Sequence, residues 1–165
     1  AMKLTPIQPG PNQESVWDYP RPAIAEAISD ELRVEFAGRT LAETRSGVRT
    51  LETSHPPTYY IPRAHVDTSA LVPNGRRSLC EWKGQAQYFD LYVDGRTSVD
   101  ACWTYASPTP SFHIIEDCIA FYPGRVDACF VNGERVTPQP GGFYGGWITQ
   151  SVVGPFKGEP GTQFW

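Results

Sequence analysis

The chain has 165 residues, a length that suits one domain. Folding at that size buries roughly 70% of the unfolded surface, so no disulfide or metal staple is required. A net charge of -4 and a pI near 5.3 argue against nucleic acid as a partner, which needs a clustered basic face; no run of about 18 apolar residues is present to span a membrane.

Residues 1–20 read as an extended, proline-bearing N-terminal arm, and residues 21–165 as a single β-rich domain. Ala1 ahead of Met2 reads as a cloning remnant, and the opening residues have no apolar signal core. The expected location is therefore the cytoplasm, with the thiols reduced.

In chain order, a short helix is expected over residues 24–28, after Pro20 and Pro22, and a second helical turn over 65–71, after Pro62. The rest reads as hairpins. Asp94-Gly95 and Asn132-Gly133 are strong two-residue turn signals, because both residues tolerate the positive φ of a type I′ turn. Ala37-Gly38 is weaker, since Ala resists positive φ. His113, between Phe112 and Ile114, reads as a structural strand histidine. Residues 118–136 read as a meander around Pro123-Gly124 and Asn132-Gly133. A two-residue turn at Pro123-Gly124 would set Cys118 opposite Cys129, close but reduced. From Gly141 onward, glycine alternates with aromatic residues, which suits a tail (141–165) wrapping closely over a formed core.

The four cysteines, at 80, 102, 118 and 129, form no C-x-x-C pair, and His55, His65 and His113 are scattered. A zinc site needs close-spaced ligands, so neither a metal nor a cofactor is expected.

Several runs resemble a known family. They include Ala42-Glu43-Thr44-Arg45-Ser46, Pro57-Thr58-Tyr59-Tyr60-Ile61-Pro62-Arg63, Cys80-Glu81-Trp82-Lys83-Gly84-Gln85-Ala86-Gln87-Tyr88, Ala101-Cys102-Trp103-Thr104-Tyr105 and Ile119-Ala120-Phe121-Tyr122. The family is the bacterial domain-of-unknown-function family numbered 427, which also carries a nucleotidyltransferase-like name. The resemblance covers residues 30–137, and the tail is similar to that of a longer subfamily. It implies a mainly β fold, a β-tent of the Mss-four-like and methionine-sulfoxide-reductase-B-like kind. The paired cysteine knuckles of those relatives are missing here, so their metal and redox chemistry does not transfer. Nor is there a Gly-Ser plus paired-Asp pattern for nucleotidyl transfer. Ala64 and His65 depart from the family's Pro-Arg-Glu-Asp-Val run.

The candidate site follows from the Asp94-Gly95 turn. Pairing outward from it sets Tyr88 opposite Ala101 and Asp90 opposite Val99. Alternation then gives Tyr88, Asp90, Trp103 and Tyr105 one sheet face, and Phe89, Leu91, Val93 and Cys102 the other. The second, more apolar face is expected to meet the core. The first carries amphipathic aromatics beside Lys83-Gly84, the kind of wall small-molecule pockets use. Lys83 is the leading ligand-binding residue, with Tyr88, Trp103 and Tyr105 beside it. Tyr60, Arg49, Glu52 and Arg63 would close the site from neighbouring segments, unless Arg49–Glu52 and Arg63–Asp67 are simply structural ion pairs. Lys83, Cys80 and Glu52 are the weak catalytic candidates, a thiol needing a positive neighbour to react. Lys157, in a second aromatic-Lys-Gly triplet, would join Lys83 on one small anionic ligand if the tail covers the site, with Glu52 or Asp90 as the nearby acid. Two readings stand: a small-molecule-binding domain, with or without chemistry of its own, and a non-catalytic protein-interaction module or self-associating homo-oligomer.

Overall fold

Three two-residue turns set the strand pattern in the computed structural model, which describes residues 4–165; the reading of Ala1 and Met2 lies outside them. Ala37, Asp94 and Asn132 have φ of 52°, 50° and 50°, and the glycines after them 76°, 83° and 81°. This is the type I′ geometry, whose twist matches that of the flanking strands. Ala37 is held there by its N–H, which donates to Asp127 Oδ2 at 2.7 Å.

The strands run in chain order as β1 (Glu14–Ser15), β2 (Ile24–Ala27), β3 (Leu32–Phe36), β4 (Arg39–Thr44) and β5 (Val48–Leu51). Next come β6 (Thr58–Pro62), β7 (Leu71–Cys80), β8 (Gly84–Val93), β9 (Arg96–Thr104) and β10 (Cys118–Phe121). The last are β11 (Ala128–Val131), β12 (Glu134–Arg135), β13 (Thr137–Pro138), β14 (Trp147–Ile148) and β15 (Val152–Val153). The fold is mainly β. One antiparallel sheet has the order β2-β5-β6-β10-β9-β8-β7, and a second the order β12-β11-β3-β4. Helical structure among the described residues is confined to short 3-10 turns; one of them, Thr68–Ala70, falls within the turn expected over 65–71, and another, Arg63–His65, ends where that span begins.

Three local expectations are corrected. Residues 24–27 form strand β2, paired from Ile24↔Leu51 to Ala27↔Val48. So short a run cannot nucleate a helix alone, and the edge of β5 satisfies its backbone instead. His113 lies exposed in the 3-10 turn Pro110–Ile115, not in a strand. Pro123-Gly124 opens the 3-10 turn Pro123–Arg125 in place of a hairpin, because a proline cannot take the positive φ a tight hairpin wants first. That turn carries the chain from one sheet to the other. Cys118 therefore pairs opposite Pro62 and Cys129 opposite Val34, and the two thiols join different apolar clusters. All four cysteines are free.

The β8–β9 register is also corrected. Pairing holds from Val93↔Arg96 to Leu91↔Ser98, then resumes two residues later with Phe89↔Cys102 and Tyr88↔Trp103. The extra residues are stabilised by polar contacts. Asp100, at φ 51°, donates its N–H to Asp90 Oδ1, and Asn74 Nδ2 donates to both Asp90 and Asp100. A shift of two leaves the face of every side chain unchanged, because strand alternation has period two. Tyr88 and Trp103 thus share one face while Phe89 and Cys102 share the other.

Both faces of the large sheet are covered. One packs against the second sheet, with Leu32, Val34, Phe36 and Leu41 meeting Ile61, Leu91, Cys102 and Phe121. The opposite face holds a second cluster of Tyr60, Tyr88, Trp103, Tyr105, Ala120 and Tyr122, capped by Phe112 and Ile115 from the 3-10 turn. The aromatic face is therefore itself a core surface, with Trp103 only 7% exposed. The N-terminal segment packs against the tail: β1 pairs in parallel with β15, and Val16 and Tyr19 bury with Leu51 and Val152.

Candidate functional site

The tail crosses the aromatic face and leaves a cavity of about 350 Å³ between itself and the sheet, within the size range of small-molecule sites. Its sheet side is lined by Thr50, Glu52, His55, Thr58, Arg76, Ser78, Cys80, Lys83, Tyr88, Tyr105 and Tyr122, among others, and its tail side by Gln139, Phe143, Tyr144, Gly145 and Lys157. Trp147 anchors this wall. It is 1% exposed, its indole N–H donates to the Phe121 carbonyl at 3.0 Å, and its ring lies 5.0 Å from that of Tyr59.

The close passage of the tail depends on Gly145. A Cβ there would stand 2.3 Å from the Trp103 ring, closer than two carbon atoms can approach. Gly145→Ala should therefore push the tail off the sheet and destabilise the fold by about 1–3 kcal/mol, the usual cost of overpacking. Thermal denaturation checks this; an unchanged melting temperature would mean that the tail does not pack on Trp103.

Local structure fixes Lys83. Strand β7 ends at Cys80 and β8 begins at Gly84, which are paired across a three-residue connection. Gly84 takes φ +109°, a conformation L side chains rarely adopt. Thr109 clamps the connection, its N–H donating to the Lys83 carbonyl at 2.9 Å and its hydroxyl to the Trp82 carbonyl. Lys83 Nζ then lies 3.9 Å from Cys80 Sγ and 5.7 Å from the Phe112 ring centroid. From the tail, Lys157 Nζ donates to the Trp165 carbonyl at 3.2 Å and lies 5.7 Å from the Tyr144 ring centroid. Among the described residues neither ammonium lies within ion-pair distance of a side-chain carboxylate. Arg76, by contrast, is neutralised by Asp100 at 2.8 Å and stacks over Tyr88.

His55 ties the two walls together. Gln139 Oε1 accepts from the Gly146 N–H, which fixes the amide so that Nε2 faces His55 Nδ1 at 3.1 Å and the Lys157 carbonyl at 2.8 Å. An amide nitrogen only donates, so His55 Nδ1 accepts and its proton sits on Nε2. That nitrogen faces Glu52 Oε2 at 3.4 Å. Burial, with Lys157, Lys83 and Arg21 adding to it, pushes the imidazole down to about 4; Glu52 is too distant for a strong charge-assisted bond to reverse this. His55 is thus a neutral brace. Tyr105 and Tyr122 keep their hydroxyl protons: burial raises Tyr105 well above the ordinary phenol range and Tyr122 to about 12. Ser78 Oγ and Tyr88 Oη lie 2.8 Å apart.

Lys83, Cys80, Glu52, Tyr88 and Tyr105 of the sequence candidates line the cavity. Trp103 and Tyr60 do not reach it. Trp103 stands behind Tyr88 and Tyr122, with ring centroids 6.5 and 4.6 Å away, and Tyr60 behind Trp103 and Tyr105. Arg49 points to the opposite face of β5 from Thr50, where it binds Glu14 and Glu26 at 2.7 Å each, not Glu52. Arg63 pairs with Asp117 at 3.0 Å, not Asp67, and leans on Phe89. Asp90 is taken up by Asn74 and the Asp100 N–H. Sequence reasoning missed His55, Arg76, Tyr122, Gln139 and Tyr144. Only Tyr122, in a family-like run, and Tyr144, in the glycine-aromatic run, carried a signal.

These features define a mainly β domain with a partly enclosed polar-aromatic cavity. Residues 24–132 match the family described as Domain of unknown function (DUF427), NTP_transf_9. The chain belongs to that family. No curated protein matches the chain. The match ends at Asn132, so the tail wall of the cavity, Lys157 included, lies outside it. Glu52 is the one carboxylate among the lining residues, so the paired acids used for two-metal nucleotidyl transfer are not assembled there. Among the described residues no three His, Cys, Asp or Glu side chains converge as a metal-holding group, and no helix is long and apolar enough to cross a membrane.

Proposed function

We propose that the chain is a binding domain for a small anionic molecule, held in the cavity between the large sheet and the tail. The observation that carries this reading is the convergence of Lys83 and Lys157, neither paired with a side-chain carboxylate among the described residues, on one cavity lined by tyrosines. In a chain of net charge -4, two such ammonium groups facing a partly desolvated space favour an anion there. Tyr88, Tyr105, Tyr122 and Tyr144 supply an apolar body with hydroxyl tips. Cys80, Lys83 and Glu52 remain the groups through which chemistry would run. The β-tent architecture, the single-domain organisation with its N-terminal arm, and a bacterial cytoplasmic setting belong to the same proposal. Two antiparallel sheets support the architecture, and the packing of the tail against the N-terminal segment supports the single-domain organisation.

The test is thermal shift and calorimetry with inorganic phosphate and citrate. Both are expected to raise the melting temperature by binding the folded state alone. Lys83→Ala and Lys157→Ala should each weaken binding by about tenfold or more, the value of a hydrogen bond to a charged group. Unchanged affinity in both variants would overturn the reading. A second reading, a protein-interaction or self-association surface, draws on Leu79 and Phe143, which stand 81% and 71% exposed at the cavity mouth. A concentration-dependent dimer in sedimentation, abolished by Leu79→Ser, would favour it.

A further inference from the structure

The cavity also holds a negative group with no close hydrogen-bond partner. Glu52 Oε2 faces the neutral His55 Nε2–H at 3.4 Å, and no closer donor reaches the carboxylate among the described residues. Glu52 lines the same space as Lys83 and Lys157 and yet pairs with neither. Each of the three is held apart by its own contacts: Glu52 by His55, Lys157 by the Trp165 carbonyl, and Lys83 by the Cys80–Gly84 connection and the Phe112 ring.

That arrangement discriminates among ligands. A simple anion between the lysines meets repulsion from Glu52, and a simple cation at Glu52 meets repulsion from two ammonium groups. A molecule bearing both charges satisfies all three groups at once. The four tyrosines that line the same cavity suit a flat or apolar body, and an ammonium near their rings gains cation–π attraction.

Resting on the anion-binding reading above, we infer that the ligand is a small zwitterion, its acidic group held by Lys83 and Lys157 and its ammonium group by Glu52. Glu52 is then the specificity-determining residue, and the tail, through Lys157 and Tyr144, helps to select the ligand.

The experiment compares three probes of one shape by calorimetry: para-aminomethylbenzoate, which carries both charges, para-toluate, which carries only the negative one, and para-methylbenzylamine, which carries only the positive one. The zwitterion is expected to bind wild type about tenfold more tightly than para-toluate, the worth of one charged hydrogen bond. In Glu52→Gln, which keeps the shape and the contact with His55, that preference should shrink to about twofold or less, with para-toluate binding no more weakly than before. In Lys83→Ala both acids should weaken together. Equal binding of the two acids by wild type, or a preference that survives Glu52→Gln, would overturn the inference while leaving anion binding intact. Binding of both acids untouched by Lys83→Ala and Lys157→Ala, or no binding of any probe at millimolar concentration, would overturn both.

Discussion

Trp147→Ala is expected to cost about 3–5 kcal/mol of stability, the range for truncating a buried large aromatic to alanine. The indole is 1% exposed, packs on Tyr59, and spends its N–H on the Phe121 carbonyl inside the large sheet. Truncation leaves a cavity and a carbonyl short of its donor. In a chain of this length such a loss lowers the melting temperature by roughly 6–20 °C. The effect reaches the cavity as well. Trp147 N–H donates to the Pro57 carbonyl and Gln139 N–H to the Gly146 carbonyl, so the segment carrying Tyr144 and Gly145 hangs from this anchor. Limited proteolysis of Trp147→Ala should therefore cut within residues 139–146 before the rest of the chain. Trp147→Phe, which keeps most of the packing and loses the hydrogen bond, should cost only about 1–2 kcal/mol. A loss below about 1 kcal/mol for Trp147→Ala would show that the tail is not part of the cooperative unit.

The second large effect is acid destabilisation through His55. An exposed histidine in the unfolded chain titrates near 6.5, and the folded state holds His55 down to about 4 by burial and by the nearby Lys157 and Lys83. Between those values the unfolded state binds the proton and the folded state does not. Stability contributed by neutral His55 is thus complete above about pH 6.5 and lost as pH falls through the window toward 4. The side chain is 13% exposed, so solvent screening is slight, and the contribution lost by pH 4 is about 3 kcal/mol. Denaturation of wild type and His55→Gln across this range checks it. The variant lacks the titrating group and should lose less stability on acidification. Nitrogen chemical shifts should report a neutral ring protonated on Nε2 at pH 7, and a His55 signal that titrates near 6.5 would sink the prediction.

Local rules carried the fold a long way. The turn dipeptides Asp94-Gly95 and Asn132-Gly133 determined their hairpins by themselves, because positive φ is a property of two adjacent residues and needs no distant contact. Period-two alternation then placed Tyr88, Trp103 and Tyr105 on one face, and the register shift of two could not undo it. The shift itself was not legible in the sequence. It depends on Asn74 reaching Asp90 and Asp100 from β7, a contact between residues far apart in the chain. Residues 24–27 became a strand for the same kind of reason: a partner edge on β5 outweighed a weak local helical preference.

For the candidate site, sequence alone marked Lys83 and its aromatic neighbours, and linked Lys157 to them only through a repeated triplet. Which aromatics reach the cavity was a tertiary matter. Trp103 and Tyr60 satisfy the face argument but sit one layer too deep, under Tyr88, Tyr122 and Tyr105. Arg49 and Arg63 found carboxylates on other faces, at Glu14, Glu26 and Asp117, because an arginine's long reach lets packing choose its partner. His55 and Gln139, 84 residues apart, meet only because the tail folds back across the large sheet. The sequence by itself determined which residues turn, which alternate, and that the tail could lie close to a core. Tertiary packing decided where that tail lies, and with it the cavity, since backbone geometry is local and the convergence of side chains from distant segments is not.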